Sequence, residues 1–150
     1  MAKNILKLPV NPEVLYSRLD DVKKSLEKLI DLRNISEKEF FDKKTDDWAL
    51  TAYYLQRALE GLLSCGSHIL SRISGAKFDE YGTIASQLAE YGILPENFKE
   101  ISIEMAKYRN RLVHFYHEIG KKELFNILQN NLKDLRSFYK YLLKFTKLHE

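Results

Sequence analysis

Between Trp48 and Ile73 the chain has no proline, and Trp48, Leu55, Leu59, Leu62, Leu63, Ile69 and Leu70 recur mostly at steps of three, four or seven. Only a helix puts residues so spaced on one face, since a strand alternates faces at every residue. A helix this long must cover its apolar stripe with other helices, and that requirement limits the chain more than any other feature. Thr45-Asp46-Asp47 offers a start and Ser74-Gly75 a stop. Gly61 and Gly66 lie inside, where each weakens helix propensity by up to about 1 kcal/mol. They are read as places where a neighbouring helix comes close.

The partners for that stripe follow from the rest of the sequence. Asn11-Pro12-Glu13 combines an amide cap, proline at the first helical position and an acid in the first turn. Leu15, Leu19, Val22, Leu26, Leu29 and Ile30 then carry an amphipathic helix to about Arg33. Ser36 to Glu39, before Phe40-Phe41, has the form of a capping box on a short connecting turn. Thr83 is placed to cap a shorter helix through Tyr91, with Gly92 as its left-handed terminator. Pro95-Glu96 opens a helix expected to reach about residue 118, with Ile101, Met105, Tyr108, Leu112, Phe115 and Ile119 as its apolar stripe and Glu104, Lys107, Arg111 and Glu118 facing outward. A last helix is expected over 121–147, through Leu124, Ile127, Leu128, Leu132, Leu135, Phe138, Leu142 and Phe145. Four long helices, one short helix and brief joins predict an all-α, antiparallel up-and-down bundle. At 150 residues and 45% hydrophobic, residues 1–150 are enough for a single domain with its own core.

Some function classes are excluded early. Met1 to Pro12 has no apolar core of the kind a leader peptide needs, and no apolar run is long enough to span a bilayer. One cysteine, Cys65, forbids an intramolecular disulfide and fits a reducing cytosol, so a cytoplasmic protein is expected. A net charge of +3 neither demands nor opposes a nucleic-acid partner. No glycine-rich phosphate loop and no Gly-x-Ser-x-Gly elbow is present. Cys65/His68 and His114/His117 are i, i+3 pairs without further ligands at matching offsets, so no metal site is expected.

The chemistry concentrates in Tyr108-Arg109-Asn110-Arg111-Leu112-Val113-His114-Phe115-Tyr116. On a continuous helix, Asn110 and His114 share a face, Arg109 lies about 140° round from His114, and Tyr116 comes within about 20° of Arg109. His114 can exchange protons near neutral pH, while Arg109 can neutralise phosphoryl oxygens. Together with the Asn110 amide, these groups suit cleavage of a phosphodiester. Arg-x4-His is a short pattern, and spacing alone favours a plainer alternative: a surface arginine and a histidine hydrogen-bonded at a helix end. The tyrosines could stack nucleobases, yet most read as half-buried shoulders of helices. The lysine-rich side of the last helix reads as a solvated face.

The spacing of Arg109, His114 and Tyr116, followed by Glu118-Ile119, resembles the Arg-x4-His-x-Tyr signature of HEPN-domain proteins of the HepT toxin type. Trp48 with Tyr54, Leu55, Arg57, Ala58 and Leu59 resembles that family's aromatic–Leu–x–Arg–Ala–Leu segment. The likeness runs from about residue 45 onward and reverses the order of the two readings. It implies a HEPN-like bundle that forms a homodimer, with the signature helices of two chains lining one cleft. It also implies a metal-independent endoribonuclease that needs no cofactor and cuts RNA by 2′-hydroxyl attack. Arg109 and His114 would be catalytic and Asn110 supporting. The partner would be an MntA-like nucleotidyltransferase antitoxin that silences the toxin by transferring AMP to Tyr116. Some HEPN relatives serve instead as non-catalytic nucleotide- or substrate-binding subunits of a nucleotidyltransferase, and that remains the alternative. A structural bundle with a merely buried histidine is the third.

Overall fold

A computed structural model describes residues 5–150 of the chain. The first four residues, part of the stretch read above as lacking a leader core, lie outside the described residues. Seven helices follow in order: α1 Pro12–Arg33, α2 Glu37–Phe40, α3 Asp47–Leu70, α4 Tyr81–Glu90, α5 Lys99–His114, α6 Lys121–Asn130 and α7 Leu132–Leu148. Among the described residues the only extended pairing is an isolated bridge between Leu6 and Ile73. No helix among them is long and apolar enough to cross a membrane.

Two helix starts expected from the sequence, at Asn11 and Ser36, form for the reasons given, while Asp46 precedes α3 without a side-chain cap. The Asn11 side chain accepts from the Val14 amide with Pro12 at the first position, and Ser36 Oγ accepts from the Glu39 amide at 3.1 Å. Gly92 takes a left-handed φ of +78° after α4, and the Ile93 amide reaches back to the Leu88 carbonyl at 2.9 Å. The start of α4 differs from expectation: it begins at Tyr81, so Thr83 sits inside the helix.

α3 is the axle of the bundle. It packs along α1 on one side and against α4, α5, α6 and α7 elsewhere. Its two glycines mark the close approaches. A Cβ built on Gly61 would lie 2.5 Å from Val22 Cγ2 of α1, and one on Gly66 only 2.6 Å from Leu88 Cδ1 of α4. The core joins Leu15, Leu19, Val22 and Leu29 to Leu62, Leu63, Ile69 and Leu70, closed by Leu124, Leu128, Phe138 and Leu142.

Two expected helices are broken. The last divides at Asn131 into α6 and α7. Asparagine propagates a helix poorly, and beside it the Asn130 side chain donates to the Asn126 carbonyl at 3.0 Å, competing with the backbone ladder. The signature helix is bounded more tightly than 95–118. A 3-10 turn at Glu96–Phe98 precedes it, α5 ends at His114, and a second 3-10 turn covers Tyr116–Glu118. Its expected stripe is also displaced. Ser102, Ala106, Leu112 and, beyond the helix, Ile119 are buried, whereas Ile101 and Phe115 are exposed.

At the far end of α3, the segment before α1 is pinned down. The Lys7 amide donates to the Arg72 carbonyl at 2.8 Å, Arg72 Nε donates to the Pro9 carbonyl, and the Asn11 amide donates to His68 Nε2 at 3.0 Å.

Candidate functional site

The signature occupies the C-terminal end of α5, which lies beside the N-terminal half of α3. Arg109 projects inward from α5 and is largely covered. Its Nη2 donates to Glu60 Oε1 on α3 at 3.0 Å, and Gln56 Nε2 donates to the same oxygen at 3.2 Å. The guanidinium carbon stands 4.3 Å from the centre of the Tyr81 ring, the first residue of α4. Its Nη1 donates to Asn110 Oδ1 at 3.2 Å, while Nε is buried without a partner. Carboxylate, aromatic face and amide thus fix the cation from three sides before any ligand arrives. Asn110 binds Arg109 in this arrangement, and no hydrogen bond joins either residue to His114.

His114 is the last residue of α5 and is exposed. The backbone leaves helical geometry at Phe115 (φ −132°, ψ 32°), and the following turn carries Ile119 into the core. That bend cancels the expected return of Tyr116 to the azimuth of Arg109, which held only for an unbroken helix. Tyr116 lies instead against Trp48 at the start of α3, ring centres 5.8 Å apart and planes within 9°. Trp48, expected among core residues, is only half-buried, and Lys121 Nζ stands 5.6 Å from its ring. Tyr116 remains 37% exposed, and partial burial raises its hydroxyl pKa above the ordinary value.

A second network braces this end. Arg111, expected to face outward, grips Glu123 of α6 with Nη1 on Oε2 at 2.7 Å and Nη2 on Oε1 at 3.3 Å. Tyr108 Oη donates to the same Oε2 at 2.7 Å. Partial burial would raise the carboxyl pKa of Glu123, but the hydrogen bonds from Arg111 and Tyr108 outweigh it and hold the group below its usual range. The Cys65/His68 pair has a plain structural account. Cys65 is buried with its thiol pushed up to about 12 by desolvation, and His68 receives the Asn11 amide. Among the described residues no three His, Cys, Asp or Glu side chains gather as a metal-holding group.

Glu60 and Lys121 went unnoticed in the sequence, and Tyr81 counted only as one of the tyrosines that could stack a base. Glu60 had a usable signal, being the only Asp, Glu, Lys or Arg between Arg57 and Arg72, on a helix that is otherwise uncharged there. An isolated charge on a buried helix face calls for a partner. Tyr81 had no such mark.

The sequence model of the family described as "Ribonuclease HepT-like" matches residues 22–142. A protein named tRNA nuclease HepT, from Aphanizomenon flos-aquae (strain 2012/KM1/D3), is 28% identical over 117 residues, 77% of this chain and 78% of its own length. Among solved structures, the fold is similar to a chain of a toxin–antitoxin complex with AMP-PNP (TM-score 0.73, 15% identity, 86% of this chain and 97% of that one). It is similar also to a chain of an MntA–HepT toxin–antitoxin mutant (TM-score 0.75, 14% identity, 87% and 98%). A third neighbour is the Bacillus subtilis cytosolic protein YutE, of unknown function (TM-score 0.69, 16% identity, 89% and 91%).

Proposed function

The chain belongs to the HepT-like ribonuclease family, and from that premise we propose that it is the toxin of a toxin–antitoxin pair, cutting RNA without a metal ion. The ribose 2′-hydroxyl attacks the adjacent phosphorus, His114 takes its proton, and the 5′-oxygen leaves with a proton returned to it. Arg109 stabilises the charge on the phosphorane through Nη1, the end of the guanidinium that points toward exposed Asn110. The Asn110 amide nitrogen, Nδ2, is then placed to donate to the same phosphate.

The observation that carries this reading is the pairing of a cation fixed by Glu60 and Tyr81 with an exposed imidazole five residues further on, at the end of the same helix. A single chain gives that pair one open wall. Val113 (37% exposed) and Phe115 (49%) flank His114 with apolar surface, which favours a homodimer in which two signature ends face one cleft. The second copy would supply a second imidazole, so that one acts as base and the other as acid.

The partner is an MntA-like nucleotidyltransferase, in keeping with the toxin–antitoxin complexes among the structural neighbours. It silences the toxin when Tyr116 Oη attacks the α-phosphorus of ATP and pyrophosphate leaves. Because the phenol pKa is raised, the transferase must supply the base that takes the proton. The adduct places an anion and an adenosine at the mouth of the cleft.

The test incubates wild type, His114→Ala, Arg109→Ala and Lys107→Ala with tRNA in EDTA. Each of the first two substitutions is expected to slow cleavage by about 10²–10⁴-fold. Lys107, exposed and paired only with Glu104, is expected to be neutral. Products should end in a 2′,3′-cyclic phosphate or 3′-phosphate. Cleavage surviving in His114→Ala, or requiring divalent metal, overturns the mechanism. ATP and the transferase should add AMP to Tyr116 and stop cleavage; AMP on another residue overturns only the regulatory half.

A further inference from the structure

The Trp48–Tyr116 pair differs from the aromatic pairs of the core. Phe98 and Phe138 meet edge-on at 5.9 Å and are both buried, which is the ordinary use of such contacts. Trp48 and Tyr116 are near-parallel, lie at the surface, and leave more than a third of Tyr116 open. Exposed Phe115 precedes Tyr116 in the chain, and Lys121 at the start of α6 brings its ammonium over the Trp48 ring, 5.6 Å from its centre. His114 is two residues away along the chain. A partly exposed aromatic stack with a cation over one ring, close in the chain to an exposed imidazole, is the composition of a single-stranded nucleic-acid site.

We propose that the Trp48–Tyr116 stack is a platform for one nucleobase of the RNA, next to the bond on which His114 acts, with Lys121 taking an adjoining phosphate. This rests on the ribonuclease reading and adds substrate-binding residues to it. Trp48 backs the ring of Tyr116, and the base continues the pile on the open face. Tyr116 then has two duties: its ring binds substrate, and its hydroxyl receives AMP. The adenine of the adduct would compete for the very surface the substrate base uses.

The chain has one tryptophan, so its emission reports this site alone. The experiment titrates the full-length protein with a short single-stranded oligonucleotide whose 2′-O-methyl riboses cannot be cut, following Trp48 emission and the anisotropy of a labelled copy. Emission is expected to change in step with anisotropy. Tyr116→Leu should weaken binding by about 5- to 150-fold, the value of one stacked base, while Tyr116→Phe, which keeps the ring, should recover it. Lys121→Ala should weaken binding and reduce the salt dependence by about one phosphate contact. Free AMP should bind far more weakly than the oligonucleotide. Thermal melts check that all three variants are folded. Unchanged affinity in folded Tyr116→Leu, constant Trp48 emission while anisotropy rises, or AMP binding as tightly as the oligonucleotide each overturns the platform. If these fail while His114→Ala still abolishes cleavage, the ribonuclease mechanism stands without it. If Tyr116→Leu loses affinity while His114→Ala cleaves normally, the catalytic assignment alone falls.

Discussion

Arg109 and His114 are five residues apart on one helix, and the protein treats them in opposite ways. Arg109 is clasped by Glu60 of α3 and Tyr81 of α4, and its neighbour Asn110 completes the hold. His114 ends α5 in the open. A cation that stabilises developing charge is worth most when its position is fixed in advance, because nothing then has to reorganise during the reaction. In the proposed mechanism a proton-moving group must instead reach substrate atoms, which an exposed imidazole is free to do. One half of the signature is therefore made by the fold, and the other awaits what binds.

The largest test separates the two halves by stability. Arg109→Ala and His114→Ala should both lose about 10²–10⁴-fold in cleavage rate. Only Arg109→Ala should also cost stability, about 1–2 kcal/mol, because Glu60 and Tyr81 lose their partner. For a chain of this size that is about 2–8 °C in melting temperature. Surface His114→Ala should stay within about 0.5 kcal/mol of wild type. Equal shifts in calorimetry would erase the contrast.

Next in size, Arg109→Lys should cut the rate by about 10–100-fold although the charge remains, since an ammonium cannot hold Glu60, Asn110 and the Tyr81 face together. A lysine variant as fast as wild type would mean that only charge, and not the clasp, matters. Gly66→Ala disturbs the packing of α4 behind Tyr81: its Cβ would press on Leu88 and Ile84, for about 1–3 kcal/mol of lost stability. At temperatures where the variant is still folded, its cleavage should fall less than that of Arg109→Lys. The reverse order would show that the clasp depends on α4 as a whole.

The smallest effect concerns acid. Desolvation, then Arg72 and Arg18, lower the pKa of His68 in the folded protein. Below about pH 6.5 the unfolded chain therefore takes up a proton that the folded one refuses. Stability from this group is complete above that pH and is lost as pH falls through the lowered value. His68→Gln should flatten that part of the stability–pH curve, read by denaturant melts, and leave cleavage unchanged. A cleavage change would tie the far end of α3 to the site.

Much of this was legible in the residues. The period of the apolar positions gave the helical bundle, the caps at Asn11 and Ser36 gave its starts, and Gly61 and Gly66 gave its close approaches, because all depend on local geometry. The likeness to HepT toxins singled out Arg109, Asn110, His114 and Tyr116. What stayed hidden depends on tertiary placement. The bend at Phe115 has no glycine or proline to announce it and follows from the burial of Ile119. The break at Asn131 comes from side-chain competition that propensity registers only weakly. Glu60 and Tyr81 find Arg109 only after three helices have packed.

The N-terminal segment is held at the C-terminal end of α3, while Trp48 stands at the other end. Twenty residues of helix separate His68 from Trp48, about 30 Å. Charge is screened over about 10 Å in ordinary salt, so the two ends are electrically insulated from each other. A tag or surface tether fused ahead of residue 5 would be anchored about a helix-length from Trp48 and from the Tyr116 ring stacked on it, leaving the proposed base platform free.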